Sequence, residues 1–167
     1  MKLNLGCGQK HLPDFVNVDI ADNWADNPPD VAADITKALP FDDDSADEIH
    51  AYHVVEHIFR WEVEGVLRDW FRVLKPGGKM VLELPCLDKI LWLFSKYQEA
   101  KSPVDARLTL WGLYGDPGYK NPDMTHKWCY AMSELQSLMQ GIGLREVIIM
   151  EPQTHVALRD MRLEGTK

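Results

Sequence analysis

The stretch Met1-Lys2-Leu3-Asn4-Leu5-Gly6-Cys7-Gly8, followed by Phe15-Val16-Asn17-Val18-Asp19, decides how this chain folds. Leu3-Asn4-Leu5 reads as a short apolar strand running directly into a glycine turn, and the second strand ends on a carboxylate. Glycines at a strand end let the backbone approach a nucleoside closely, and an acid at the tip of the next strand can receive ribose hydroxyls. The sequence therefore predicts a nucleoside-cofactor site at its first strand. Only six residues separate Gly8 from Phe15. A parallel crossover normally takes about ten to twelve residues, usually with a helix. The first crossover helix should accordingly be reduced to a turn.

Outward from that start, strand signals recur at residues 2–6, 15–19, 31–34, 47–52, 79–84, 145–150 and 155–163. Val63, Val66, Leu67, Trp70, Phe71 and Leu74 form one apolar helical stripe, which places Trp70 in the core. Its stop is Lys75-Pro76-Gly77-Gly78: a cation for the helix end, a residue that cannot extend it, and a free turn. The helix then feeds Met80–Leu84, so strand–helix–strand reads as a right-handed parallel crossover. Leu87, Ile90, Leu91, Phe94 and Tyr97 suggest another helix, ended by Pro103, before an irregular loop. A last helix should start at Ser133 with a Ser133–Gln136 capping box and end at Gly141 or Gly143. The two final strands are too close in sequence for a crossover, so one strand must run antiparallel. The expected fold is thus α/β and Rossmann-like, with a mostly parallel seven-stranded sheet in one domain spanning 1–167. Residues 86–128 should form a substrate-side insertion or lid.

A chain of 167 residues, 46% apolar and 26% charged, has the composition of an ordinary soluble protein. It contains no apolar run of the roughly 18 residues a membrane span needs, and Met1-Lys2 leaves no room for a signal peptide. Three scattered cysteines, Cys7, Cys86 and Cys129, speak against a disulfide framework and for a reducing cytoplasm. Twelve acids and one base lie between Leu12 and Phe59, within a net charge of -8. They read as solvated loops, or as a field favouring a cationic ligand. No basic run suggests nucleic acid.

Four ordered segments resemble the class I S-adenosylmethionine-dependent methyltransferases, in particular the type 11 group. They are Leu3–Gly8, Val16–Asp19, Leu39-Pro40-Phe41 through His53-Val54-Val55-Glu56-His57, and Leu74–Gly78. The resemblance implies S-adenosylmethionine as cofactor, methyl transfer to a small-molecule acceptor, and a set of site residues. Gly6 and Gly8 would pass the methionine part of the cofactor, with Cys7 contributing backbone, and Asn4 and Leu5 before them belong to the same cofactor-binding set. Asp19 would accept both ribose hydroxyls, Ile20 would pack on the adenine, and Asp34 with Ile35 would lie near the adenine amino group. Tyr52 and His53 would flank the transferable methyl, and His53, His57 and His126 are the candidate general bases. Asn4 stands where the family often carries an acid. A non-catalytic cofactor-binding or partner-binding domain is the competing reading.

His53-Val54-Val55-Glu56-His57 also fits the H-x-x-E-H zinc pattern. That site needs both histidines on one helical face and a third ligand downstream. Here the pattern follows a strand, and no metal is expected. A nicotinamide site is disfavoured because His11 stands at the third glycine position and Pro13 interrupts a helix. Trp92, Trp111, Tyr114, Tyr119, Trp128 and Tyr130 cluster in and beside the irregular region. They suit core burial, a homodimer contact or substrate lining.

Overall fold

The computed structural model describes residues 1–20 and 27–167. Seven strands, β1 (Lys2–Leu5), β2 (Val16–Asp19), β3 (Val31–Ala32), β4 (Ala46–Tyr52), β5 (Leu74–Pro85), β6 (Arg145–Met150) and β7 (Asp160–Thr166), form one sheet in the order β3-β2-β1-β4-β5-β7-β6. The pairs among β1 to β5 are parallel, and β7 runs antiparallel to both neighbours. The helices are α1 (Val63–Val73), α2 (Leu87–Glu99), α3 (Leu110–Tyr114) and α4 (Met132–Gly141). No helix among the described residues is long and apolar enough to cross a membrane.

Cross-strand partners share a face, so the register sorts the sheet's two sides. Leu3 and Leu5, Ile49 and Ala51, Met80 and Leu82, and Leu163 and Gly165 are paired along one side. All but Gly165 put an apolar side chain into a core with Val63, Val66, Leu67 and Trp70 of α1 and with Leu135 and Met139 of α4. Trp70 is fully buried, and its indole N–H donates to the Ile35 carbonyl at 3.0 Å. The other side is mostly polar: Asn4, His50, Glu48, Tyr52, Glu83, Arg162 and Glu164. A first crossover helix would have demanded apolar residues there. Instead the loop from Gly6 to Phe15 contains no helix, and Phe15 lays its ring 4.7 Å from that of His50.

Two asparagines hold this shortened crossover together. Asn4 donates to the Lys10 carbonyl at 3.0 Å and to Asn17 Oδ1 at 2.9 Å. Asn17 Oδ1 also accepts from the Leu12 N–H at 2.8 Å, and its amide donates to Asp30 Oδ2 at 2.9 Å. Buried polar groups of this kind are expensive to orphan. We expect Asn17→Ala to lose about 3 kcal/mol in urea unfolding, from the unpaired Asn4 amide and Leu12 N–H. A loss under about 1 kcal/mol would show that water replaces Asn17.

Three local expectations fail for tertiary reasons. The last strand is expected at 155–163 but is Asp160–Thr166. Val156 is drawn into a turn because its N–H donates to Asp160 Oδ2 at 3.0 Å. The Ser133–Gln136 capping box does not form: α4 begins at Met132, whose N–H is taken by Asp88 Oδ2 at 2.8 Å, while Gln136 donates to the Val147 carbonyl. Lys75–Gly78 is not a free turn but the start of β5. Gly77 N–H donates to the Lys167 carbonyl at 2.9 Å and Lys167 N–H to the Gly78 carbonyl at 3.0 Å, zipping the glycines to the chain's last residue.

Candidate functional site

The C-terminal ends of the parallel strands converge at Gly6, Asp19 and Tyr52-His53, where ligands bind in open α/β sheets. Gly6 turns with φ +67°, and a Cβ there would sit 2.5 Å from a Val54 methyl, so the position admits only glycine. The Gly6 and Cys7 N–H groups both donate to the Val18 carbonyl, at 2.8 and 3.2 Å, locking the turn onto β2. Gly8 N–H donates to Asp19 Oδ2 at 2.7 Å and Ile20 N–H to Asp19 Oδ1 at 2.7 Å. Each carboxylate oxygen keeps a further lone pair for a hydroxyl donor. Ile20 stands 48% exposed beside it, an apolar surface available to a flat ring.

The other residues expected at the cofactor take more varied places. Leu5 is fully buried in the strand and Asn4 nearly so. The Cys7 thiol is buried and pushed up to about 12 by burial and by the Asp19 charge, so it is no nucleophile. Asp34 is bonded to the Thr36 N–H at 2.9 Å and hydroxyl at 2.6 Å, while Ile35 packs under Gly6. Burial would raise the Asp34 carboxyl, but the Thr36 bonds hold it below its usual range. Tyr52 shares a 2.7 Å hydrogen bond with His50 Nδ1.

A cavity of about 80 Å³ lies at the end of β1, lined by Asn4, Gly6, Cys7, Tyr52, Lys10, Leu12, Thr154 and His155. The loop between β6 and β7 forms its roof, a contribution the sequence does not reveal. Glu83, fully buried on the sheet's polar side, accepts from the Gln153 and Thr154 N–H groups at 2.9 and 2.7 Å and from the Thr154 hydroxyl. Lys10 Nζ lies 2.9 Å from His155 Nε2. Burial, His53 and Lys10 together push His155 down to about 4, so the ring is neutral and accepts from the lysine.

His53 directly follows β4 with φ +56°, a left-handed conformation held by its N–H to the Glu83 carbonyl at 2.8 Å. Its Nε2 lies 3.1 Å from Asp160 Oδ2 and its Nδ1 3.0 Å from Glu56 Oε1. Burial alone would lower the ring, but the two carboxylates hold it up at about 9. Both nitrogens are thus engaged. The ring stacks at a tilt 4.1 Å from His155.

Beyond His53 opens a second cavity of about 270 Å³, walled by His53, His57, His126, His155, Trp111, Tyr119 and Arg107. His57 ends a 3-10 turn at Val55–His57, and His126 approaches from 69 residues downstream. The junction is made by backbone: the Glu56 carbonyl accepts from Lys127 N–H at 2.7 Å and Trp128 N–H at 3.3 Å. The two rings meet edge-on at 4.8 Å. Burial lowers the His126 ring below the ordinary histidine value. Of the aromatic residues, Trp111 and Tyr119 line this cavity, Tyr114 lines a wider apolar groove, and Tyr130 is core. Trp92 and Trp128 are exposed.

These residues fit S-adenosylmethionine at its ribose, where Asp19 has spare acceptor sites, and at the Gly6 turn. Ligand sites usually span roughly 300–1,000 Å³, so the 80 Å³ cavity holds only part of such a molecule. A family model described as "Methyltransferase domain" matches residues 3–82, from β1 into β5. Among solved structures, a SAM-dependent methyltransferase from Archaeoglobus fulgidus aligns with TM-score 0.69 and 16% identity over 99% of this chain and 85% of its own. One from Thermotoga maritima gives 0.67 and 16% over 99% and 81%, and one from Methanosarcina mazei 0.63 and 18% over 99% and 91%. At such identities the likeness is one of fold. No curated protein matches the chain. The matched segment contains the Gly6 turn, Asp19 and His53 in the order the resemblance requires, so this part of the chain is similar to that methyltransferase family, and the chain as a whole has the fold of the S-adenosylmethionine-dependent methyltransferases.

Proposed function

We propose that this chain transfers a methyl group from S-adenosylmethionine to a small-molecule acceptor held in the histidine-lined cavity. The observation that carries this reading is the position of His155, which lines both that cavity and the one at the end of β1. A donor at the Gly6 turn and an acceptor beside His57 and His126 then face each other across one side chain. When bound, the cofactor supplies an already activated methyl, so the protein's task is alignment. Asn4 through Gly8 and Tyr52 border the methionine end, Asp19 holds the ribose, and Ile20, Asp34 and Ile35 form the adenine side. His53, its ring fixed between two carboxylates, rigidifies the turn beneath the methyl. His57 and His126 make the polar contacts to the acceptor and receive any proton it must lose. Residues 86–128 act as the acceptor-side cover, and about 270 Å³ restricts the acceptor to metabolite size. Three free cysteines suit a reducing cytoplasm.

The narrow 80 Å³ cavity favours, as a second reading, a domain that binds the cofactor without turning it over. Incubation with methyl-labelled cofactor and a small-metabolite extract separates the two. The expected result is label in a low-mass product, reduced at least about tenfold by His126→Ala. Cofactor binding without label transfer in any fraction would favour the binder.

A further inference from the structure

Glu56 is fully buried, and neither carboxylate oxygen has a hydrogen-bond partner among the described residues. Oε1 is 3.0 Å from His53 Nδ1, a charge contact without hydrogen-bond alignment, and that leaves the group short of partners. The cationic His53 ring beside it is shared with Asp160, so the buried Glu56 charge is only partly compensated and leaves room for a further positive group. One Glu56 oxygen, one His57 nitrogen and one His126 nitrogen lie within 4.8 Å of one another.

The imidazoles are oriented for the same purpose. His57 Nδ1 faces the Thr125 carbonyl at 3.3 Å, and His126 Nδ1 faces the Gly112 carbonyl at 2.9 Å. A carbonyl can only accept, so each Nδ1 carries the proton and each Nε2 presents its lone pair. Metal-bound histidines are held in this way, with the far N–H given to a carbonyl or carboxylate. The rigid part is backbone, since Glu56 anchors Lys127 and Trp128 and thereby fixes His126 against the Val55–His57 turn.

We propose that Glu56, His57 and His126 form a binding site for a divalent transition metal of the zinc type. Two imidazoles and one carboxylate are a donor set that zinc accepts, at roughly 2.0–2.2 Å per bond. Tetrahedral ligation needs donor atoms roughly 3.4 Å apart, so the present separations of up to 4.8 Å contract when the ion binds. His53 then serves as the outer partner of Glu56, not as a ligand. The nearby Arg159 charge does not oppose the cation, being paired with Asp160 at 2.6 Å. Three protein donors leave a position open, and it opens onto the 270 Å³ cavity that both histidines line. If that cavity takes the acceptor as proposed above, then in the metal-bound state the open position takes a hydroxyl oxygen, whose proton passes to solvent as the metal favours the alkoxide. His57 and His126, with Nε2 on the metal, then hold the acceptor through it and no longer receive its proton.

Metal binding is measured on the full chain after chelator treatment, without cofactor, so it stands or falls separately from methyl transfer. Calorimetric titration with Zn²⁺ should give one equivalent per chain. Substitution with Co²⁺ should give visible d–d bands without a thiolate charge-transfer band. His57→Ala, at a half-buried position that leaves the fold intact, and His126→Ala should each weaken binding by at least about 100-fold. The proposal is overturned if neither ion binds, if both variants bind as tightly as the native chain, or if the cobalt spectrum shows thiolate ligation.

Discussion

Asp19→Ala should abolish the thermal stabilisation expected from S-adenosylmethionine. In the native chain, cofactor at about a hundred times its Kd adds about 2.7 kcal/mol to stability. For a chain of this size that is a rise in Tm of roughly 5–10 °C. On the proposed reading Asp19 accepts both ribose hydroxyls, and it already receives the Gly8 and Ile20 N–H groups. Its removal deletes two hydrogen bonds to a charged acceptor, about 1.5–3 kcal/mol each, and so lowers affinity by about 10² to 10⁴-fold. At the same cofactor concentration the shift should vanish. The unliganded variant should melt only slightly lower, because both N–H groups lie near solvent and water can replace the carboxylate. Scanning fluorimetry with and without cofactor reads both effects. An undiminished shift in the variant would place the ribose elsewhere.

Asp160→Ala should be the most destabilising change at the site. Asp160 is fully buried and accepts from Arg159 Nε at 2.6 Å and Nη2 at 3.2 Å, from His53 Nε2 at 3.1 Å and from Val156 N–H at 3.0 Å. These partners hold its carboxyl well below the usual carboxylate range against the opposing effect of burial. Arg159 is itself buried and bound to the Arg107 carbonyl at 3.0 Å, so it cannot easily turn to water. Breaking a buried pair from one side costs about 3–5 kcal/mol, because the remaining charge stays buried. Urea unfolding should register a loss of that size, and Asp160→Asn, which keeps the shape and some bonds, a smaller one. Hydrogen exchange adds a local signature: the Val156 amide should lose protection beyond that caused by the global drop. A loss below about 1 kcal/mol would mean that the site relaxes around the vacancy.

The parts of this protein that declare themselves in its sequence are those whose cause is local. Leu3–Gly8 announces a strand and a turn because the glycine has no alternative at φ +67°. The α1 stripe is readable because its buried residues follow the helical repeat. The cap of α4 is not, because Asp88 supplies it from 44 residues away. Residues 155–158 carry apolar side chains that resemble a strand, and only the buried Asp160 carboxylate bends them into a loop. At the site, Asp19 and the glycines are legible for the same local reason. Glu83 and Asp160 are not: acids in strands read as solvent-facing, and their burial follows from loops that fold over them. The meeting of Glu56 and His57 with His126 leaves no trace in spacing, since a long irregular segment intervenes. Within H-x-x-E-H the two histidines part company: His57 meets His126, while His53 turns to Asp160.

The position of His155 has a consequence for binding order. One imidazole forms part of the wall of both cavities, the ones proposed above for donor and acceptor. Any displacement that admits the methionine chain beside Gly6 also reshapes the acceptor compartment. Two ligands that share such a movable element are energetically coupled, and the coupling is reciprocal: whatever the first gains from a shifted His155, the second receives in equal measure. Cooperativity between donor and acceptor is then a property of one neutral ring tethered by Lys10, and its sign depends on whether both occupants prefer the same rotamer.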